Sequence, residues 1–240
     1  MGLLSYATGS KYGFGEGFLT KAGFRFNPTA RTTVMVLVLG TIFIALAASI
    51  QEIIKEKAIV NREKNAGVRP IAYVASKFLV LSILVSIQIS VFASIVLFNR
   101  PMTKIETFSG SALLSIYIFC LLLGLVTLLL GLLISSVISS SEQAMPTLVG
   151  IIMIQIILSG LLPIDFKGAI EKLSIFVPSY VATNGLAGVT NLAQTTFVQD
   201  EKLLLRWATS FENSYSSLSQ LCFFLVLFFV LTTFVMQMKD

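Results

Sequence analysis

Few side chains in this sequence could carry covalent chemistry. The chain contains no histidine, and its two cysteines, Cys120 and Cys222, both lie inside apolar runs. Histidine is the commonest metal ligand and a frequent general base at neutral pH, and two distant cysteines do not form a zinc site. The carboxylates also lack a paired spacing that would indicate acid–base catalysis. We therefore predict neither a catalytic site nor a metal centre in this chain.

The charged residues that remain are concentrated in one segment, residues 52–67. This segment combines isoleucines with charges of both signs and ends in a glycine suited to a helix C-cap. Its candidate functional residues are Glu52, Glu56, Lys57, Arg62, Glu63 and Gly67. One interpretation is a juxtamembrane helix that lies among lipid headgroups. The other is a docking helix that receives force from a cytoplasmic partner, and the mixture of apolar residues with both signs of charge favours it.

The elements that must position this segment are membrane spans. Of the 240 residues, 55% are hydrophobic and 12% are charged, whereas a soluble domain has about 25% charged residues. The net charge of +5 does not indicate binding to nucleic acid, because lysine and arginine flank the apolar runs and form no basic face. The composition therefore predicts an all-α integral membrane protein.

The apolar runs that are long enough for transmembrane helices lie at about residues 33–50, 71–98, 109–138, 146–162 and 219–238. The first helix is predicted to continue, with or without a bend, from Val34 to Ala66, which is about 50 Å at 1.5 Å per residue. It would then project beyond a hydrocarbon core about 30 Å thick. Segment 164–217 contains apolar stretches too short to span a membrane, which predicts re-entrant or interfacial helices.

Lysine and arginine are frequent between Gln51 and Lys77, which predicts that this region is cytoplasmic. Alternation of the spans then places the N-terminal segment 1–30 and the long segment 164–217 outside. Residues 31–240 form the predicted transmembrane domain. The predicted location is a plasma membrane or a bacterial inner membrane.

Two further patterns lie within the spans. Thr41, Ala45 and Ser49 recur at every fourth position of the first span. Small residues at this spacing allow helices in lipid to approach closely, either within one chain or between two copies. Gln155 is a long polar side chain in the fourth span, and either a helix–helix hydrogen bond or a cavity-facing role would explain it.

A family resemblance is carried by two segments. The run EIIKEKAIVNREKNAG followed by YVASKFL resembles the intracellular loop of G-type ABC exporter permeases, the white/sterolin class and its bacterial relatives. The matching positions, in the family's order, are Glu56-Lys57, Glu63, Gly67, Tyr73, Ser76 and Lys77. A second segment, LSGLLPID…LSIFVPSYVATNGLAG between Leu158 and Gly188, resembles the family's last-but-one span, with its leucine pair, and the start of its external loop. The resemblance covers roughly residues 27–240.

The resemblance implies the permease subunit of an ATP-driven exporter, which is not itself an enzyme. A partner ATP-binding subunit or domain would bind ATP and Mg and would push segment 52–67. In the resembling family the first and fourth spans line a two-fold interface. Thr41, Ala45 and Ser49 thereby become candidates for dimer contact, and the pair Leu161-Leu162 becomes a candidate gate.

The resemblance also predicts an apolar cavity between the subunits of a homo- or heterodimer embedded in membrane lipid. Its candidate lining residues are Leu37, Thr41, Ile44, Met153 and Ile157. Such a cavity would suit a lipid-like or hydrophobic amphipathic cargo that is moved by alternating access. The alternative is a non-transporting membrane scaffold that recruits a partner. An intramembrane enzyme would need a polar catalytic pair within the spans, and the sequence does not suggest one.

The chain departs from the family pattern in two ways. Six spans are usual in that family, and the first of them has no counterpart among the five predicted here. The phosphate-binding pattern G-x-x-x-x-G-K-[ST] does not occur in the sequence. We therefore expect either a short permease or part of a longer polypeptide that includes the first span and the ATPase.

Overall fold

A computed structural model describes residues 18–19, 25–26, 28–56, 59–60, 62, 69–98, 110–161, 173–190, 192 and 211–238. Near the start, strands β1 (Phe18–Leu19) and β2 (Arg25–Phe26) pair antiparallel, with Phe18 opposite Phe26. The rest of the described chain is helical or lies in short turns. Its helices are α1 (Pro28–Ser49), α2 (Glu52–Lys55), α3 (Pro70–Leu97), α4 (Ala112–Val137), α5 (Ala144–Leu158), α6 (Pro178–Val189) and α7 (Phe211–Met238).

Five helical stretches of the described chain are long and apolar enough to cross a membrane. They are Ala30–Lys55, Pro70–Leu97, Ala112–Val137, Ser141–Leu158 and Asn213–Met238. The predicted all-α membrane fold with five spans is therefore confirmed. The fourth stretch is α5 together with a short 3-10 turn at Ser141–Gln143. Helix α6 has 12 residues, which is about 18 Å and too short to cross.

The helix boundaries follow local signals in the sequence. Pro70 and Pro178 occupy the first turns of α3 and α6, where proline has no intrahelical hydrogen bond to lose. The Ser111 hydroxyl caps α4 by accepting from the Leu114 amide at 3.2 Å. Gly160, two residues after α5, has a φ of +74°, a left-handed conformation that suits glycine at a helix C-terminus.

Two boundaries differ from the predictions. Helix α1 ends at Ser49, and the chain turns at residues 50–51 before α2 begins at Glu52. The predicted helix, for which a bend was allowed, thus contains a turn at these two residues, and Ile53 and Ile54 beyond the turn are buried. Helix α7 begins at Phe211, eight residues before its predicted start at 219, because the polar run that opens it is helical without being apolar.

Helix α4 is the centre of the bundle and packs against α1, α3, α6 and α7. Several of its large side chains, Phe119, Leu123, Leu128 and Leu129, are fully buried. Gly131 lies so close to α1 that a methyl group there would overlap the Ser49 hydroxyl. Helix α5, in contrast, packs on α1 and α6 at the edge of the bundle and leaves most of its surface exposed.

Long-range contacts define two ends of the bundle. At the first, which we call the Lys77 end, α2 and the start of α3 meet the last turns of α4 near Ser135. At the second, the Leu161 end, the start of α1 at Arg31 meets the chain just after α5. Tyr180 of α6 lies against Gly160 at this same end. Helix α6 is therefore buried in the bundle at the Leu161 end.

Candidate functional site

The Lys77 end contains a cluster of paired charges. Glu52 and Glu56 are one helical turn apart, and so are Tyr73 and Lys77 on α3. The Lys77 ammonium lies 3.1 Å from Glu52 Oε1 and 2.6 Å from Glu56 Oε2. The Tyr73 hydroxyl donates to the same Glu56 oxygen at 3.1 Å. One lysine therefore bridges two carboxylates across the loop that separates α2 from α3.

The cluster is neither fully buried nor fully solvated. The side chains of Lys77 and Glu56 are 20% and 31% exposed, so the attraction between them is screened less than at an open surface. The hydrogen bond from Lys77 lowers the pKa of Glu56, and partial burial opposes this by raising that pKa. The charge of Lys77 and the hydrogen bond from Tyr73 lower it further, so that the net pKa is lowered. Glu56 is therefore held in its charged form at neutral pH.

Helix α2 is also fixed to α4 by a serine that was not among the predicted site residues. The Ser135 hydroxyl accepts hydrogen bonds from the amides of Ile53 and Ile54, at 3.0 and 3.1 Å. These amides belong to the first turn of α2, where no carbonyl of the same helix is available. Ser135 therefore caps α2 from a neighbouring helix, while Lys77 holds the same short helix to α3.

The predicted coupling residues have different outcomes. Glu52 and Glu56 are brought together by Lys77 of the same chain. Arg62 is exposed and helical. Lys57, Glu63 and Gly67 lie outside the described residues. Lys77 and Tyr73 belonged to the family resemblance but were not predicted as site residues. Tyr73 and Lys77 are four positions apart, as are Glu52 and Glu56, and this matched spacing could have indicated that the two pairs meet.

The small-residue stripe of α1 packs within the chain. Thr41, Ala45 and Ser49 are all fully buried; Ser49 lies against Gly131, and the methyl of Thr41 lies close to Gly124. Of the two interpretations of this stripe, the structure shows packing within one chain. Dimer contact through these three residues stays a prediction, since within this chain their side chains are already covered.

The five predicted cavity residues are divided between two surfaces. Leu37 and Thr41 are fully buried in the bundle, so in this arrangement they line no space open to a cargo. Ile44 is partly exposed, and Met153 and Ile157 on α5 are 53% and 46% exposed. Phe43 and Ala47, on the side of α1 opposite to the buried Thr41 and Ala45, are also exposed. We call the combined surface, namely Phe43, Ile44, Ala47, Met153 and Ile157, the α1/α5 face.

The predicted gate lies at the Leu161 end. Leu161 is buried, and its carbonyl accepts a hydrogen bond from Arg31 Nε at 2.8 Å. Its amide donates to the Ser159 hydroxyl at 3.3 Å. The start of α1 is thus tied to the chain that follows α5. Leu162, the second residue of the predicted gate, lies outside the described residues.

Gln155 makes a helix–helix contact at this end. Its side-chain oxygen accepts from the Ser179 amide at 3.1 Å, and its main-chain carbonyl accepts from the Ser179 hydroxyl at 2.7 Å. Ser179 lies in the first turn of α6, whose amides need partners from outside the helix. Gln155 therefore caps α6 as Ser135 caps α2. The hydrogen-bonding interpretation of Gln155 is confirmed.

The hydrogen bonds and ion pairs described above connect the helices of the bundle at both ends. Movement of α2 would reach α3 through Lys77 and α4 through Ser135. At the opposite end, α6 would follow α5 through Gln155.

Comparison with known proteins agrees with this geometry. A relative from Mycobacterium tuberculosis (strain ATCC 25618 / H37Rv), named ABC transporter ATP-binding/permease protein Rv1747, is 29% identical over 181 residues. The similarity covers 75% of this chain and 21% of that protein, so the chain spans about a fifth of the relative's length. The family model described as ABC-2 family transporter protein matches residues 20–234. Together with the five apolar helices, this match shows that the chain is a multi-pass membrane permease that belongs to the ABC-2 transporter family.

Proposed function

We propose that this chain forms the membrane pathway of an ATP-driven exporter whose cargo is lipid-like or a hydrophobic amphipathic molecule. An ATP-binding partner, in another chain or another domain, would bind ATP and Mg and press on the Lys77 end. The bundle would then alternate between access from the two sides of the membrane. Membership of the ABC-2 family supports the role of permease, and the apolar exposed faces support the class of cargo.

The observation that carries the proposal is the double attachment of α2. A four-residue helix has little stability of its own, yet α2 is capped by Ser135 and braced by Lys77. Force applied to α2 is therefore passed to α3 and α4 rather than absorbed by local unfolding. In this proposal Glu52 and Glu56 brace α2 within the chain, and exposed positions such as Lys55 and Arg62 contact the partner.

The α1/α5 face is the proposed site of a second copy and of the cargo. Helices α1 and α5 pack against each other, and each carries exposed apolar side chains. Helix α5 has little of its surface covered by its own chain, as expected for a helix whose other neighbour is a second subunit or the transported molecule. In the proposed dimer, Ile44, Met153 and Ile157 line the cavity, and Leu37 and Thr41 support it from behind.

The orientation follows from the positive charges near the Lys77 end, which place that end in the cytoplasm. The test is labelling with a membrane-impermeant maleimide in a Cys222→Ser background. We expect a cysteine at Phe98, which is exposed near the other end of α3, to react in intact cells. A cysteine at the exposed Lys55 should react only in opened cells. The reverse pattern would invert the proposed topology.

Transport is tested by reconstituting this chain with its ATP-binding partner in liposomes that contain a fluorescent phospholipid. We expect ATP-dependent translocation of the lipid and its loss in Lys77→Gln, with basal ATP hydrolysis retained, because the brace between α2 and α3 is removed. Arg69→Gln is the matched control, since Arg69 is an exposed positive charge at the start of α3 and lies outside the brace. Loss of translocation in both variants would contradict bracing by Lys77. ATP hydrolysis with no translocation by the wild type would favour the scaffold alternative.

The dimer is tested by oxidative cross-linking in the same Cys222→Ser background. We expect a cysteine at Ala47, exposed on the α1/α5 face, to give a covalent dimer. A cysteine at Ala45, which is fully buried two positions earlier, should not. Cross-linking through Ala45 and not through Ala47 would support dimer contact through Thr41, Ala45 and Ser49. It would mean that this side of α1 faces the second copy.

A further inference from the structure

A polar cavity lies at the Leu161 end, apart from the α1/α5 face. Its volume is about 210 Å³, and it lies between α6 and the first turns of α7, partly open to the surroundings. Its polar wall consists of Tyr180, Asn184, Asn213, Ser216, Ser217 and Gln220. From this cavity we infer a binding site for the uncharged, hydroxyl-bearing headgroup of a membrane lipid, of which a glycosyl glycerolipid is the representative.

Asn184 gives the cavity an acceptor that needs a donor. Its side-chain oxygen is buried, and no hydrogen-bond donor in the described part of the chain reaches it. A buried amide oxygen without a partner is costly, since it has given up its bonds to water. Asn184 lines the cavity, and a turn of its side chain toward the cavity would allow a ligand hydroxyl to donate to this oxygen and remove that cost.

Other groups around the cavity can complete a hydroxyl-binding set. The Ser216 hydroxyl accepts from the Gln220 amide at 3.5 Å, a long contact that a ligand can replace. The Ser217 hydroxyl donates to the Asn213 carbonyl at 2.9 Å, which leaves its oxygen able to accept. The wall therefore offers both donors and acceptors, as the hydroxyl groups of a sugar or glycerol require, because each is itself a donor and an acceptor.

Charge and size narrow the class of headgroup. None of the six polar side chains of the wall carries a charge, so an anionic phosphate headgroup would find no ion pair among them. The cavity volume is about 210 Å³. This is below the roughly 300–1,000 Å³ of pockets that enclose drug-sized ligands. The cavity thus fits a neutral headgroup and leaves the remainder of the molecule outside.

The surroundings indicate that the remainder is hydrocarbon. Ile175 belongs to the cavity wall and is itself exposed, and the neighbouring Phe176 is 72% exposed. Tyr215, on α7 beside the polar wall, is 66% exposed. Aromatic side chains of this kind are typical of the boundary between lipid tails and water. A lipid can therefore place its headgroup in the cavity and its chains along these residues, whereas a free sugar would use only the cavity.

The test measures lipid binding to the full chain in an amine-oxide detergent that carries no sugar. Native mass spectrometry would compare diglucosyl diacylglycerol with phosphatidylglycerol at equal concentration, with maltose added as a competitor in a separate arm. We expect the glycolipid to occupy the protein at least about tenfold more than the anionic lipid. Maltose at equal concentration should not displace it, because maltose lacks the chains.

Matched variants assign the binding to this cavity. Ser216→Phe fills the cavity from an exposed position on α7, and Ser219→Phe makes the same change three residues away and outside the wall. We expect Ser216→Phe to weaken glycolipid binding about tenfold or more and Ser219→Phe to leave it unchanged. Gln220→Met, which keeps the length of an exposed side chain, is the second cavity variant in case Ser216→Phe does not fold.

Three results would overturn the inference. They are equal binding of the two lipids, equal loss in Ser216→Phe and Ser219→Phe, and displacement by equimolar maltose, which would identify a free-sugar site. The measurement uses neither ATP nor a partner. Failure of this site therefore leaves the proposed export function standing, and failure of export leaves this binding result standing.

Discussion

The two ends of the bundle hold a short helix in similar ways but in different surroundings. At the Lys77 end, α2 is capped by Ser135 and held by ion pairs of partly exposed side chains. At the Leu161 end, α6 is capped by Gln155 and is buried along nearly its whole length. Ion pairs near water respond to charge, pH and partners, whereas close packing does not. We therefore expect the first end to be adjustable and the second to be fixed.

The largest effect is expected from crowding α6. A methyl group at Gly185 would overlap the ring of Phe119, which is fully buried on α4. We expect Gly185→Ala to destabilise the bundle by about 1–3 kcal/mol, measured as a lower midpoint of thermal unfolding in detergent. Gly150→Ala is the matched control, because no atom lies near the added methyl in α5. That change should stabilise by up to about 1 kcal/mol.

If Gly185→Ala and Gly150→Ala shift the midpoint equally, the tight contact between α6 and α4 is not a feature of the folded protein. A second variant sharpens the test. Phe119→Leu removes the ring that the new methyl would meet, and adding it to Gly185→Ala should recover part of the loss, as contacting residues are not additive.

Removal of the α6 cap is expected to have the next largest effect. Gln155→Leu leaves the buried Ser179 amide without its side-chain acceptor. Hydrogen bonds between helices in membrane proteins contribute about 0.6–2 kcal/mol, and we expect a loss of that size in thermal unfolding. Gln88→Leu changes an exposed glutamine on α3 and should be nearly neutral. Equal stability of the two variants would mean that packing alone holds α6.

The α2 cap should matter less for global stability and more for local order. Ser135→Ala removes the acceptor of the Ile53 and Ile54 amides, and loss of a helix cap costs about 1 kcal/mol. We expect faster hydrogen exchange at these two amides, with little change at α6. Ser82→Ala is the control, because the Ser82 hydroxyl donates within its own helix, to the Leu79 carbonyl. Unchanged exchange in Ser135→Ala would remove Ser135 from the attachment of α2.

The spans could be predicted from the sequence because each is a continuous apolar run, and continuity is a local property. The start of α7 was missed for the same reason, since FENSYSS is helical but polar. The burial of α6 depends on Phe119 and Gln155. The sequence of α6 predicted only that the segment is too short to span a membrane. Its burial could not be predicted, because these contacts join residues distant along the chain.

The candidate site likewise combines features that local sequence predicts with features that depend on distant residues. The spacing of Thr41, Ala45 and Ser49 indicates close packing but cannot name the neighbour, which is α4 of the same chain. Lys77 was visible as part of a family motif. Its pairing with Glu52, 25 positions away, depends on the turn after α1. That turn contains no proline or glycine from which it could have been predicted.

The smallest effect is expected from the ion pair of the Lys77 end. A double-mutant cycle of Glu56→Gln and Lys77→Met should give a coupling energy of about 1 kcal/mol or less, because both side chains are partly exposed. The coupling should decrease further at high salt, since screening weakens the attraction between the charges. A coupling of several kcal/mol would mean that the pair is enclosed, as by a bound partner, and the adjustable character of this end would then be in doubt.

The same pair predicts a pH dependence with a definite sign. The pKa of Glu56 is lowered below its ordinary value of 4.5 in the folded chain, so the unfolded chain takes up the proton first. Glu56 therefore contributes its full stabilisation at neutral pH and loses it as the pH falls through 4.5 toward the lower folded value. The difference in unfolding midpoint between the wild type and Glu56→Gln should accordingly shrink on acidification.

Gln155→Leu, the control, introduces no change in titratable groups, and its deficit in unfolding midpoint relative to the wild type should stay constant over the same pH range. A Glu56→Gln deficit that is equally constant would show that Glu56 contributes through its shape and hydrogen bonds rather than its charge. The contrast between an adjustable end and a fixed end would then have to rest on Ser135 and Gln155 alone.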